Sequence, residues 1–272
     1  MNKKYSKLDI LRWVILIIIA ITNIYIVKNP VLSLLIFLLP ITFVFLHSGN
    51  YFGWVHTLIM FVLIIAIGFL GEYLGVHTGV IFGNYYYNPS PNVNGFLIGG
   101  VPPLVTFSYV SMGYTCYILS RIILGYYKKV TGWMVLGIAA MAAVFMVIWD
   151  MCFDPTSSIV QHLWTWQKGG AYFGEPFQNF TGWFMVTFTF FVAIGLYLWW
   201  RSKPKDYIAK PSKLFLLEPI ILFAASAFSI VVKEMSPSPT VLQQNLALIA
   251  LFGMGTIILI AVLRLLTTKG FH

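Results

Sequence analysis

The chain has 272 residues, of which 59% are hydrophobic and only 9% charged, and its mean hydropathy is +0.85. That leaves too little polar surface to coat a soluble globule of this size, so the chain is expected in the cell membrane as a multi-pass protein. The formal charge of +9 follows from positive residues gathered at membrane boundaries and speaks for contact with anionic lipid head groups; no nucleic-acid partner is expected.

Eight apolar stretches come close to the length of a transmembrane helix. The first runs from Leu11 to Val27 behind Lys3, Lys4 and Lys7. It has the charges of a signal peptide but a long apolar run and no clear small-residue cleavage site, so an uncleaved first helix is expected. Val31 to Leu46 follows, with Pro40 inside it as a point where the helix can kink. The others are Trp54 to Tyr73, Pro102 to Leu124, Trp133 to Phe153, Trp183 to Trp200, Leu214 to Val232 and Leu246 to Leu266. With both termini in the cytoplasm, every Lys and Arg except Lys28, Lys168 and Lys233 falls at a cytoplasmic end, and the reverse orientation inverts this bias. The expected fold class is all-α: a polytopic membrane helix bundle of about eight transmembrane helices, one domain over residues 1–272.

Three connections stand out: His77 to Val101, Pro155 to Phe180, and the basic Arg201 to Lys213. The third is an ordinary anchoring loop. The first two lie on the outer side and are too aromatic and too poor in charge for solvated connectors. Val80-Ile81-Phe82 and Phe96-Leu97-Ile98 flank the turn-rich Asn88-Pro89-Ser90-Pro91-Asn92, and the second loop carries Leu163-Trp164-Thr165-Trp166 and Tyr172-Phe173. Two aromatic caps over a lipophilic pocket are expected. The competing reading is an interfacial aromatic belt, which is preferred for Trp54, Trp133, Trp199 and Trp200.

Carboxylates break the apolar runs at two places. Glu72 lies in Gly71-Glu72-Tyr73-Leu74-Gly75, and Asp150 and Asp154 lie in Trp149-Asp150-Met151-Cys152-Phe153-Asp154-Pro155. An acid at membrane depth is costly and usually functional. Gly71, Gly75 and Gly79 repeat every four residues and suit close helix packing. Asp150 and Asp154, four apart, share one helical face, although Asp154 before Pro155 also suits a turn where the helix ends. In the charge-derived topology all three acids reach one leaflet, beneath the two aromatic loops.

Other chemistry has little foothold. A metal centre from His77, His162, Glu72 and Asp150 is the weaker reading, interface histidines the stronger; no metal and no cofactor is expected. Cys116 and Cys152 lie in different spans and read as small core residues. Glu218 is expected to snorkel or pair with Lys213, and Glu234 to be solvated beside Lys233. No Walker loop, dinucleotide glycine fingerprint or GxSxG motif is present.

Glu72-x-x-Gly75-Val76-x-Thr78-Gly79-x-x-Phe82-Gly83-x-Tyr85-x-Tyr87, Val101-Pro102, Trp149-Asp150-x-x-x-Asp154-Pro155, Trp164-x-Trp166 and Tyr172-Phe173-Gly174-x-Pro176-x-x-Asn179-Phe180-x-Gly182-Trp183 together resemble the CruF-type carotenoid hydratases, which include the bisanhydrobacterioruberin hydratases. Tyr109 in place of Trp, and Glu175 in place of an aliphatic residue, depart from that pattern. The resemblance implies addition of water across the terminal double bond of an acyclic carotenoid to give a tertiary alcohol. The partners it implies are that carotenoid, water, membrane lipids and other carotenoid-pathway enzymes. Asp150 is then the expected proton donor, with Glu72 or Asp154 orienting water. Thr78, Phe82, Tyr85, Tyr87, Trp149, Trp164, Trp166 and Asn179 are the expected substrate-binding residues. Rival readings are a transporter or lipid-binding protein with a carboxylate relay, and an acid-initiated prenyl-chain cyclase; a desaturase would want a histidine-rich cluster.

Overall fold

The computed structural model describes residues 6–23, 30–201, 203, 211–235 and 237–268. The expected end of the first span at Val27 lies outside them, as do Lys3, Lys4, Lys28, Lys205, Lys210, Lys269 and His272. The helices are α1 (Lys7–Thr22), α2 (Pro30–Phe52), α3 (Trp54–Thr78), the short α4 (Pro91–Asn94), α5 (Pro103–Leu124), α6 (Met134–Pro155), α7 (Phe177–Arg201), α8 (Lys213–Glu234), α9 (Val241–Leu248) and α10 (Gly255–Thr267). Among the described residues six helical segments are long and apolar enough to cross a membrane: Val31–Phe52, Trp54–Thr78, Met134–Val160, Phe177–Arg201, Lys213–Glu234 and Val241–Thr267. The protein is thus an all-α, multi-pass integral membrane bundle. Of the other two expected spans, α5 has 22 residues but carries Ser, Thr and Tyr along its length, and α1 is described for 16 residues.

The sequence accounts for most element ends. Ser6 caps α1, accepting from the Asp9 backbone N–H at 3.1 Å while its own N–H donates to Asp9 Oδ2 at 2.8 Å. Gly53 alone separates α2 from α3, with a φ of 91° that an L side chain rarely adopts. Helix α2 runs through Pro40 without ending. Gly79, in the left-handed region, closes α3 through its N–H to Gly75 O at 2.9 Å.

Two expectations about helix ends are corrected. Helix α6 does not stop at Pro155: it continues as a π-helical turn, Thr156–Val160, in which the Gln161 N–H reaches back five residues to Thr156 O at 2.9 Å. Helix α7 begins at Phe177, before the expected Trp183, and so takes in Asn179. The two aromatic loops, expected as caps, are also joined to each other. Tyr85–Tyr87 (β1) and Trp164–Trp166 (β2) pair antiparallel, in the register Tyr85 with Trp166, Tyr86 with Thr165 and Tyr87 with Trp164. Strand alternation buries Tyr85 and Tyr87 and exposes Tyr86.

Packing centres on α5, which touches α2, α3, α6, α8 and α10, and on the extensive α6–α7 pair. The glycine stripe lets neighbours in: a Cβ on Gly71 would lie 2.8 Å from Val186 of α7, and one on Gly75 would lie 2.6 Å from the Phe82 ring. The bundle has two distinct ends. At one, Arg12 is buried over the Phe215 ring and bonds Glu218 Oε2 at 2.6 Å, so Glu218 pairs with Arg12 while Lys213 donates instead to Leu266 O at 3.3 Å. Here, too, His47 bridges the Tyr114 hydroxyl at 2.6 Å and Phe215 O at 3.0 Å. At the other end Glu234, expected in solvent, is buried and accepts from Thr156 Oγ1 at 2.8 Å; the extended α6 brings Thr156 under it. Cys116 and Cys152 are free and buried, as core residues should be.

Candidate active site

The end that carries Glu234 also holds a cavity of about 280 Å³ between α3, α5, α6, α7 and the β-ribbon. Each acid reaches it from the last turns of its helix. Glu72, on the face of α3 beside the glycine stripe, is 3% exposed; Asp150 and Asp154, one turn apart on α6, are each 1% exposed. All three line the cavity.

Their surroundings differ. Glu72 collects three phenols: Oε2 accepts from the Tyr85 hydroxyl at 2.6 Å and from Tyr87 at 2.9 Å, and Oε1 accepts a short hydrogen bond from Tyr109. Burial, and then the Glu72 charge, push the phenols of Tyr85 and Tyr87 well above their usual range, so both stay protonated donors. Tyr85 reaches Glu72 over Gly75, where any Cβ would stand 3.1 Å from its hydroxyl. Asp154 accepts from the Trp164 indole at 2.7 Å through Oδ1 and from Asn179 Nδ2 at 2.6 Å through Oδ2. Among the described residues Asp150 receives only the same Asn179 amide, at 3.2 Å. One amide on the first turns of α7 thus spans both aspartates.

A family model for carotenoid biosynthesis proteins matches residues 31–259, a range that contains every residue of this cavity. The chain belongs to that family. No curated protein and no solved structure matches it.

In this carotenoid biosynthesis protein much of the remaining cavity wall is aromatic. Phe82, Tyr85, Tyr87, Trp149, Trp164, Trp166 and Asn179, all expected from the sequence, line it. The rings pack edge on: Tyr87 against Trp164 with centroids 5.8 Å apart, Tyr109 against Trp183 at 4.7 Å, and Trp149 against Trp183 at 6.2 Å. The Trp166 indole N–H is buried without an acceptor among the described residues.

Thr78 is the exception. It is exposed and does not line the cavity; its hydroxyl bonds Leu74 O at 2.6 Å and accepts the Val80 N–H at 3.2 Å, closing the end of α3. A β-hydroxyl in the last turn of a helix finds its own i−4 carbonyl before any distant ligand. His77 likewise bonds Tyr73 O of its own helix at 2.8 Å, and neither it nor His162 lines the cavity. The metal-centre alternative therefore loses its two histidines; among the described residues no group of three or more His, Cys, Asp or Glu side chains could hold a metal ion.

Two residues absent from the expected site belong beside it. Tyr109 lies on α5, 37 residues from Glu72, and the buried Glu175 carboxyl faces Asp154 from behind. Both depart from the hydratase pattern, and in that departure lay the only sequence signal for either.

Proposed function

We propose that this carotenoid biosynthesis protein is a hydratase that adds water across the terminal double bond of an acyclic carotenoid. One observation supports it above others: three buried carboxyls of unlike hydrogen bonding converge on one small, otherwise apolar and aromatic cavity in a bilayer protein of this family. Protonating an isolated alkene needs a positioned acid shielded from bulk water, then a base for the incoming water.

Asp150, with a single long donor, is the carboxyl free to carry and give a proton. That proton goes to the less substituted alkene carbon, and the π electrons form the new C–H bond, leaving a tertiary cation. The faces of Tyr85, Tyr87, Trp164 and Trp166 stabilise the cation. Water held by Asp154, with the unpaired Trp166 N–H as a further donor to it, supplies its lone pair to the cation and passes a proton to Asp154. The proton returns through water bound in the cavity across the single helical turn to Asp150, so the net change is one added water and no redox step. Glu72, saturated by three phenols, fixes the ring wall and the negative end of the cavity.

Expression in a lycopene-producing bacterium, followed by chromatography and mass spectrometry, tests this: a pigment heavier by one water is expected. Asp150→Asn should abolish it with membrane insertion intact. A product of unchanged mass but altered absorption would mean acid-initiated cyclisation, and unchanged pigment with longer and shorter acyclic polyenes as well would overturn the hydratase reading.

A further inference from the structure

Glu175 is a fully buried acid that does not touch the cavity. It ends the hairpin Tyr172–Glu175, in which each of these two residues donates its N–H to the other's carbonyl, at 3.3 and 2.9 Å. The reversal uses positive φ at Phe173 and Gly174, 49° and 86°. The loop is tightly seated: a Cβ on Gly170 would fall 2.0 Å from Glu175 O. Its backbone therefore fixes where the side chain goes, which is into the protein, with 0% exposure.

There its carboxyl meets Asp154. Ser158 Oγ, from the π-helical turn, donates to Oε1 at 3.4 Å, and Oε2 receives no donor from the described residues. Instead the Glu175 and Asp154 carboxyls face each other within interaction range, and two buried carboxyls so placed share one proton. The titratable groups among the described residues that face this pair are Asp150 on α6, Glu72 across the cavity, Tyr85 on β1 and Tyr172 in the hairpin itself. None is a cation. Two buried carboxyls without a cation cannot both ionise, and their environments decide which one keeps the proton. Asp154 has donors from Trp164 and Asn179, whereas Glu175 has one long hydroxyl. Burial, and then the Asp154 charge, push Glu175 up to about 10.

We propose that Glu175 is a positioning residue: a neutral carboxylic acid behind Asp154 that donates its proton in a hydrogen bond and so holds Asp154 as the carboxylate that accepts a proton from the attacking water. The role as helper to a base rests on the hydratase reading; the shared proton does not. Three donors then converge on Asp154, as three converge on Glu72, and Asp150 is left as the acid.

Two substitutions in the full chain test it. Glu175→Gln keeps shape and a donor, and should retain turnover while losing the basic limb of the pH profile that Glu175 ionisation imposes. Glu175→Leu removes the donor, and should lower kcat about ten- to hundredfold with KM unchanged and move the acidic limb up by about one pH unit. Infrared difference spectra read the proton without activity: at neutral pH one protonated-carboxyl band should vanish in Glu175→Gln. An unchanged band in that variant, or wild-type kcat and acidic limb in Glu175→Leu, would overturn the proposal. Loss of the band with no hydrated product from the wild type would keep the shared proton and sink the hydratase reading, and with it the base-positioning role.

Discussion

Glu72 shows how a single acid is made tolerable inside a bilayer. Each of its three phenol donors is a charge-assisted bond worth about 1.5–3 kcal/mol in general, and they come from β1 and α5, so the same carboxylate also ties the ribbon to the bundle. Tyr109→Phe, Tyr85→Phe and Tyr87→Phe should therefore each lower turnover by about tenfold or more, with Tyr109→Phe the most damaging because it alone serves Oε1. Thr78→Val should leave turnover unchanged, since that hydroxyl caps its own helix. Chromatographic product yields of the four variants at matched membrane abundance check both expectations. The three cavity acids were legible in the sequence because an acid within an apolar run is conspicuous. Tyr109 was not, because a tyrosine in a span reads as interface or packing until the carboxylate it serves is located, and that carboxylate arrives from another helix.

At the scale of elements, hydropathy located the long helices but missed how the two outer loops are joined. Strands of three residues, Tyr85–Tyr87 and Trp164–Trp166, are too short for a readable period, and the inward turn of Tyr85 and Tyr87 is set by the partner strand. Pro155 read as a stop, yet the π-helical turn lets α6 continue and keeps Ser158 in line with Glu175. The seat of α7 against the first loop is set by Gly182, where a Cβ would stand 2.3 Å from the Ile81 carbonyl oxygen. Backbone cannot yield as a flexible side-chain end does, so Gly182→Ala should cost about 1–3 kcal/mol and displace the N-terminal turns that carry Asn179. Gly113→Ala, whose Cβ would meet the Phe190 ring at an ordinary 3.5 Å, should be neutral or gain up to about 1 kcal/mol from helix propensity. Thermal unfolding in detergent, read beside product yield, separates the two.

The whole molecule divides its polar groups between two ends. The Arg12–Glu218 pair and His47 anchor one, where breaking a buried pair would leave an uncompensated charge. The other concentrates acids around a cavity lined by no cation among the described residues, an arrangement stable only if protons and phenols take the place of counter-ions. The cavity itself, about 280 Å³, falls just under the range that encloses a whole drug-sized ligand. On the proposed hydratase reading, a long polyene would therefore place only its end group among the carboxyls. Its wall includes Phe37 of α2 and Leu104, Val105 and Ser108 of α5, with Leu104 half exposed on the outer surface of the bundle, so on that reading the remainder of the polyene would leave between these helices towards lipid. Acyclic polyenes of different length that share one end group should accordingly be hydrated at similar rates, while Ser108→Trp, which narrows that passage, should raise KM for all of them alike and leave kcat close to wild type. Rates measured in membranes with a shorter and a longer polyene decide the matter: strong discrimination by length in the wild type would mean that the protein encloses far more of the chain than this cavity can hold.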